Sequence, residues 1–87
     1  MVSYPENLKL GNNVDIGAFT YINARYGVTI EDDVQIGSHC SIYSHNSIND
    51  TRGEVIIEKG AKIGSHSILL PNTIIPEDVR VNAHSII

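Results

Sequence analysis

A chain of eighty-seven residues allows one small domain, whose core alone gives it little stability. Six basic residues against ten acidic ones give a net charge of −4, and Lys9, Arg25, Arg52, Lys59, Lys62 and Arg80 form no basic stripe, which argues against nucleic-acid binding. The single cysteine, Cys40, excludes an internal disulfide framework. No apolar run approaches the ~20 residues of a membrane span, and the N-terminus has no signal-peptide core, so the expected compartment is cytoplasmic.

In chain order, Met1 to Lys9 reads as a lead-in, with Pro5 interrupting regular structure. Aliphatic residues then recur every six positions, first at Leu10, Ile16 and Ile22. A second run is Ile30, Ile36, Ile42 and Ile48, and a third is Ile57, Ile63, Leu69, Ile75, Val81 and Ile87. Four positions after most of these stands a small or β-branched residue: Val14, Thr20, Val34, Cys40, Ala61, Ser67, Thr73, Val79 and Ser85. A period of six fits neither an amphipathic helix nor a simple strand, and it predicts a solenoid of short strands and turns with no helix. Gly11, Gly17, Gly37 and Gly64 directly follow the aliphatic position, where a tight corner favours glycine, and Pro71 and Pro76 fall in turns.

Two insertions interrupt the rhythm. Two extra residues lie near Tyr26-Gly27, and three lie within Asn49–Glu54. The second predicts a protruding loop near residues 49–54, and binding and catalytic groups concentrate on such loops over rigid scaffolds. The chain ends on Ser85-Ile86-Ile87, in mid-pattern. Solenoid ends need covering, so the expectation is that a partner caps this end or that the chain is part of something longer.

Ile36-Gly37-Ser38-His39-Cys40-Ser41 and Ile63-Gly64-Ser65-His66-Ser67-Ile68 resemble the hexapeptide repeat of the left-handed β-helix acyltransferases, and the stretch from Val28 to Ile75 resembles the sugar and xenobiotic O- or N-acetyltransferases among them. The resemblance implies an all-β, left-handed parallel β-helix over a single domain, residues 1–87, of about four to five triangular coils with three hexads each. Its crossovers run against the usual right-handed preference. It also implies a homotrimer with active sites between subunits, acetyl-CoA as co-substrate and a sugar or nucleotide-sugar acceptor. In that family a turn histidine leads into a protruding loop, which re-enters the helix through a Val-Ile-Ile strand. Here these are Ile42-Tyr43-Ser44-His45, the loop, then Val55-Ile56-Ile57 and Ile63-Gly64, so the resemblance makes His45 the catalytic base. It places Asn23 and Arg25 in the coil below as acceptor-binding candidates, and Ser65 and Ala83 as backbone contacts for the pantetheine arm. Members of the family continue past the position of Ile87 with a segment that helps hold coenzyme A, and this chain stops before it.

His39, His45, His66 and His84 all stand three residues after an aliphatic position. Counted by coils, with insertions of two and three residues, Arg25, His45, His66 and His84 should stack on one edge, about 4.8 Å apart, with His39 on another. His66 then lines the same pocket as His45. A neutral imidazole takes a proton from a hydroxyl or ammonium near neutral pH. Its second nitrogen needs an acceptor, for which Asp50, Asn46 and a backbone carbonyl are all candidates. A zinc site like that of the carbonic anhydrase-like relatives needs a close histidine pair that the spacing does not supply, so no metal is expected. The other alternative is a non-catalytic or truncated β-helix trimer. Cys40, at an inward position, is expected to be a buried structural thiol.

Overall fold

The computed structural model describes residues 1–87 as fourteen short strands and one 3-10 turn at Pro5–Asn7. Twelve of the strands form three parallel sheets, the faces of a triangular prism. The first face stacks β1 (Val2–Ser3), β4 (Tyr21–Asn23), β7 (Ser41–Tyr43) and β12 (Ile68–Leu69), and the second stacks β2 (Leu8–Leu10), β5 (Val28–Ile30), β10 (Val55–Ile57) and β13 (Ile74–Ile75). The third stacks β3 (Asp15–Ile16), β6 (Gln35–Ile36), β11 (Lys62–Ile63) and β14 (Arg80–Val81). An isolated bridge from Ile68 to Ile86 starts a fifth coil on the first face. The last two strands, β8 (His45–Asn46) and β9 (Thr51–Arg52), pair antiparallel as a separate hairpin. No helix is long and apolar enough to cross a membrane.

The hexads account for the core. Ile22, Ile42 and Leu69 point inward in register on the first face, as do Ile30, Ile57 and Ile75 on the second and Ile36, Ile63 and Val81 on the third. Each column stacks like on like, so these side chains are buried against their counterparts in the neighbouring coils. Cys40 lies buried, with its sulfur 3.3 Å from the Gly64 carbonyl oxygen. The buried hydroxyls are all paired: Thr20 donates to the Gly37 carbonyl at 3.0 Å, Ser44 to that of Asn23 at 2.7 Å, and Ser67 to that of Asn82 at 3.1 Å. No buried side-chain nitrogen or oxygen lacks a partner.

Three features differ from the sequence expectation. The lead-in is instead the first coil, because Val2 pairs with Ile22 and Leu8 with Val28, and Pro5 opens a 3-10 turn where its missing N–H is not needed. The corner glycines Gly17, Gly37 and Gly64 do not have positive φ. Close approach requires them instead: a Cβ on Gly37 would lie 2.7 Å from the Ser65 backbone nitrogen of the next coil, and one on Gly64 would run into that of Ala83. Positive φ falls two residues later, at Phe19, His39, His66 and His84 on one edge and at Asn13, Asp33 and Asp78 on another. Asn, Asp and His tolerate that region better than most residues.

The third difference is the length of the loop. Ile57 pairs with Ile75, eighteen residues on, but Ile42 pairs with Leu69, twenty-seven on. Nine residues therefore leave the coil rather than three. Ile48 goes with them, and although it keeps the six-residue phase it is 95% exposed near the hairpin tip. The protrusion is thus the hairpin beginning at His45 rather than a loop over 49–54 alone.

Truncating Leu69, which is fully buried, to Ala should lower stability by about 2–5 kcal/mol. Gly37→Ala should cost about 1–3 kcal/mol through overpacking against Ser65. Urea denaturation checks both, and a Gly37→Ala midpoint equal to wild type would show that the coils have room to separate.

Candidate active site

The hairpin leaves the prism at the edge between the first and second faces, here termed the loop edge. Ser44, the last residue before it, is fully buried and ties three segments together. Its hydroxyl donates to the Asn23 carbonyl and accepts from the Tyr26 backbone N–H at 3.0 Å, while its own carbonyl accepts from the Gly53 N–H at 2.9 Å. The Asn72 side-chain amide donates to the Arg52 carbonyl at 3.0 Å from the coil beyond. The two ends of the hairpin are therefore tied to each other through the main chain, and to the neighbouring coils through the Ser44 hydroxyl and the Asn72 amide.

On that base, His45 is nearly enclosed, with 12% of its side chain exposed. Its Nε2 lies 3.3 Å from Asp50 Oδ1 across the hairpin. Of the three candidate partners for the second nitrogen, the structure selects Asp50. A carboxylate only accepts, so Nε2 carries the proton of the neutral ring and Nδ1 is the free base. Arg52 grips the same carboxylate with both arms, Nε to Oδ1 at 3.0 Å and a terminal nitrogen to Oδ2 at 3.2 Å. The hydrogen bonds from Arg52 and then from His45 hold the Asp50 carboxyl below its ordinary value of 3.8, and Asp50 in turn raises the Arg52 guanidinium.

Tyr26 is the wall against which this cluster packs. Its ring meets the His45 ring edge-on at 5.3 Å, with Arg25 at 5.4 Å and Arg52 at 5.5 Å from its centroid. Of the residues singled out from sequence, the loop edge thus brings together His45, Asn23, Arg25 and Asn46. Asn23 accepts the Arg25 backbone N–H at 3.1 Å through its side chain, and Asn46 accepts that of Ile48 at 3.2 Å near the hairpin tip. Tyr26 and Arg52 were not foreseen as parts of the site. The only hint of them was that each lies within an insertion.

His66 is elsewhere. It stands on the edge between the third and first faces, stacked between His39 at 4.7 Å and His84 at 5.0 Å, with Phe19 a further 5.0 Å beyond His39. The expected column of Arg25, His45, His66 and His84 is therefore corrected to Phe19, His39, His66 and His84. The cause is the nine-residue excursion, which moves every position after the loop by one hexad, or one corner of the triangle, relative to the count that assumed three. His66 cannot support His45 within one chain, because a face on the order of 15 Å wide separates the two edges.

Ser65 and Ala83 lie beside that histidine column. They form part of the rim of a groove of about 550 Å³ running over the third face, with Gly37 and Gly64 at the same corners and Lys62 and Arg80 among its polar lining. No three His, Cys, Asp or Glu side chains are grouped so as to hold a metal ion.

No protein-family model matches the chain, and no curated protein matches it significantly. A solved structure does. It is a mutant of AntD, an N-acyltransferase from Bacillus cereus, in complex with dTDP-4-amino-4,6-dideoxyglucose and coenzyme A. The similarity has a TM-score of 0.82 at 27% sequence identity, over 91% of this chain. The fold is a left-handed parallel β-helix, as the family resemblance implied. The likeness supports the acyltransferase family without singling out a member. The chain spans about half, 51%, of the length of that structure.

The Asp50 contacts have a definite pH dependence. Because its pKa is depressed, whatever order the ionised carboxylate lends the hairpin is present above 3.8 and is lost as pH falls through the lower folded value. Removing the first cause, by Arg52→Ala, should move the Asp50 titration up toward 3.8. Carbon-detected NMR of the carboxylate checks this, and an unmoved titration would show that Arg52 does not hold it.

Proposed function

We propose that the chain is an acyltransferase unit that moves an acetyl group from acetyl-CoA to an amine or hydroxyl of a sugar-type acceptor, with His45 as general base. The observation that carries this reading is the His45–Asp50 pair at the root of a braced hairpin, which leaves Nδ1 as the basic nitrogen. Support comes from the likeness to a solved N-acyltransferase whose crystals hold coenzyme A and a nucleotide-linked amino sugar. A nucleotide sugar is accordingly the acceptor class we favour.

The third-face groove fits an elongated anionic thioester carrier. It offers small corner residues, so that ligand meets backbone at Ser65 and Ala83, and it presents the cations Lys62 and Arg80 against one carboxylate, Asp15. Acetyl-CoA bound there supplies the electrophilic carbonyl. The residues of the chain do the rest. His45 Nδ1 takes the proton of the attacking amine or hydroxyl as the new C–N or C–O bond forms, and yields it to the departing sulfur. Asp50 keeps the ring in the required tautomer and steadies the imidazolium. Arg52 fixes Asp50, and Tyr26 fixes the plane of the His45 ring.

Since His45 and the groove occupy different edges, the working site takes the loop edge of one copy and the groove of another, as in a homotrimer with sites between subunits. His66, the residue after Ser65 of that groove, would then stand near the site on the second copy.

His45→Ala should lower turnover by about 100-fold or more while retaining acyl-CoA binding. Asp50→Asn, which can present a donor to Nε2 and so select the wrong tautomer, should lower kcat with little change in KM for acetyl-CoA. Steady-state kinetics with calorimetric binding checks both, and undiminished turnover in His45→Ala would remove it from the role of base.

A further inference from the structure

Two arginines lean on the Tyr26 ring, and they differ in what neutralises them. Arg52 is paired with Asp50 through both of its arms. Arg25 has no carboxylate within salt-bridge distance, and none of its side-chain N–H groups donates to any atom of the chain, which has ion pairs only at His45–Asp50 and Arg52–Asp50. Lys9, Lys59 and Arg80 are also unpaired and, like Arg25, exposed, but none of them has an aromatic partner. Arg25 is held between two rings, those of Tyr4 at 5.8 Å and Tyr26 at 5.4 Å. Its backbone is fixed as well, the N–H by Asn23 and the carbonyl by the Asn7 side chain at 3.2 Å.

Stacking of this kind orients a guanidinium without consuming its hydrogen-bond donors. The fork is left free and pre-oriented, so little further ordering is needed when an anion binds. The same Tyr26 ring touches His45 on another side at 5.3 Å. Guanidinium and imidazole are therefore no further apart than those two ring contacts laid end to end. A sugar ring carrying a phosphate ester across from its reacting amine or hydroxyl bridges such a gap.

We propose that Arg25 is an anion-recognition residue that selects acceptors bearing a phosphate ester, with the phosphate in the Arg25 fork and the reacting group at His45. This deepens the acyl-transfer reading and rests on it for the role of His45, but not for the anion site itself. A phosphate takes two parallel N–H···O bonds from one guanidinium, whereas a neutral sugar offers nothing comparable. A phosphomonoester and a nucleoside diphosphate ester share this chemistry, and the choice of probes tells them apart.

The test is calorimetric titration of the full chain, without coenzyme A, with glucosamine, glucosamine 1-phosphate and UDP-glucosamine. Wild type should bind at least one phosphorylated probe about 10- to 100-fold more tightly than glucosamine, and the tighter of the two names the ester. Arg25→Ala should reduce that ratio to near one, and Arg25→Lys should restore only part of it, since it keeps the charge and loses the fork. The preference should also weaken as salt rises. Circular dichroism of each variant secures the comparison of folded chains. Equal affinity of wild type for all three probes, or a preference that survives Arg25→Ala, would overturn the proposal. A chain that binds the phosphate through Arg25 yet transfers no acyl group would overturn the acyl-transfer reading and leave the anion site standing.

Discussion

In-register parallel pairing from coil to coil is the constraint on which the rest of the molecule depends. Once Ile42 is seated between Ile22 and Leu69, the register of every neighbouring strand follows, and with it the edge on which each turn residue stands. The corners that make the register tight also make it exacting, because at Gly37 and Gly64 the next coil leaves no room for a methyl group. Like side chains stack on like along the prism, which fills the interior and also aligns the outer residues into columns. The stacked rings of His39, His66 and His84 are one result of that alignment, whereas Tyr21 meets Tyr43 at 5.8 Å diagonally, since Tyr21 pairs with Ser41 and Tyr43 with Asn23.

The candidate site depends on the scaffold more than on its own charges. Asp50 and Arg52 are largely exposed, and exposed ion pairs contribute little to stability. What places His45 is the buried Ser44 hydroxyl beneath it and the backbone contacts that Gly53 and Arg52 make with Ser44 and Asn72. The Asp50 cluster adds the hydrogen bond to Nε2 and the edge-on Tyr26 contact orients the ring, and in the proposed acyl transfer these would matter for chemistry rather than for folding. A rigid root with a polar tip is the arrangement expected where a loop must hold a proton-transfer group steadily.

The fold was largely legible in the chain because the hexad is a consequence of packing: only residues that point inward must be aliphatic, and they return every six positions. What periodicity cannot reveal is whether a given hexad lies in the coil or outside it. Ile48 has the right phase and the right chemistry, yet it sits in the hairpin, since nothing in its spacing reports that the strand beside it pairs antiparallel. That one ambiguity carried the histidine count to the wrong edge. The loop-edge residues His45, Asn23, Arg25 and Asn46 escaped the error because they precede the excursion or belong to it. Tyr26 and Arg52 were not legible as site residues, because their roles arise from contacts across coils that leave no local pattern.

The central claim is that the proton-accepting edge and the groove belong to different copies of the chain, and a complementation assay tests it most directly. His45→Ala chains, which keep the groove, are unfolded and reassembled together with Ala83→Trp chains, in which the groove is blocked and His45 is intact. Each variant alone should be inactive. The mixture should regain acetyl transfer at roughly one quarter of the wild-type rate, the statistical share of sites that combine two intact halves. A mixture that stays inactive although the chains have co-assembled would contradict a shared site.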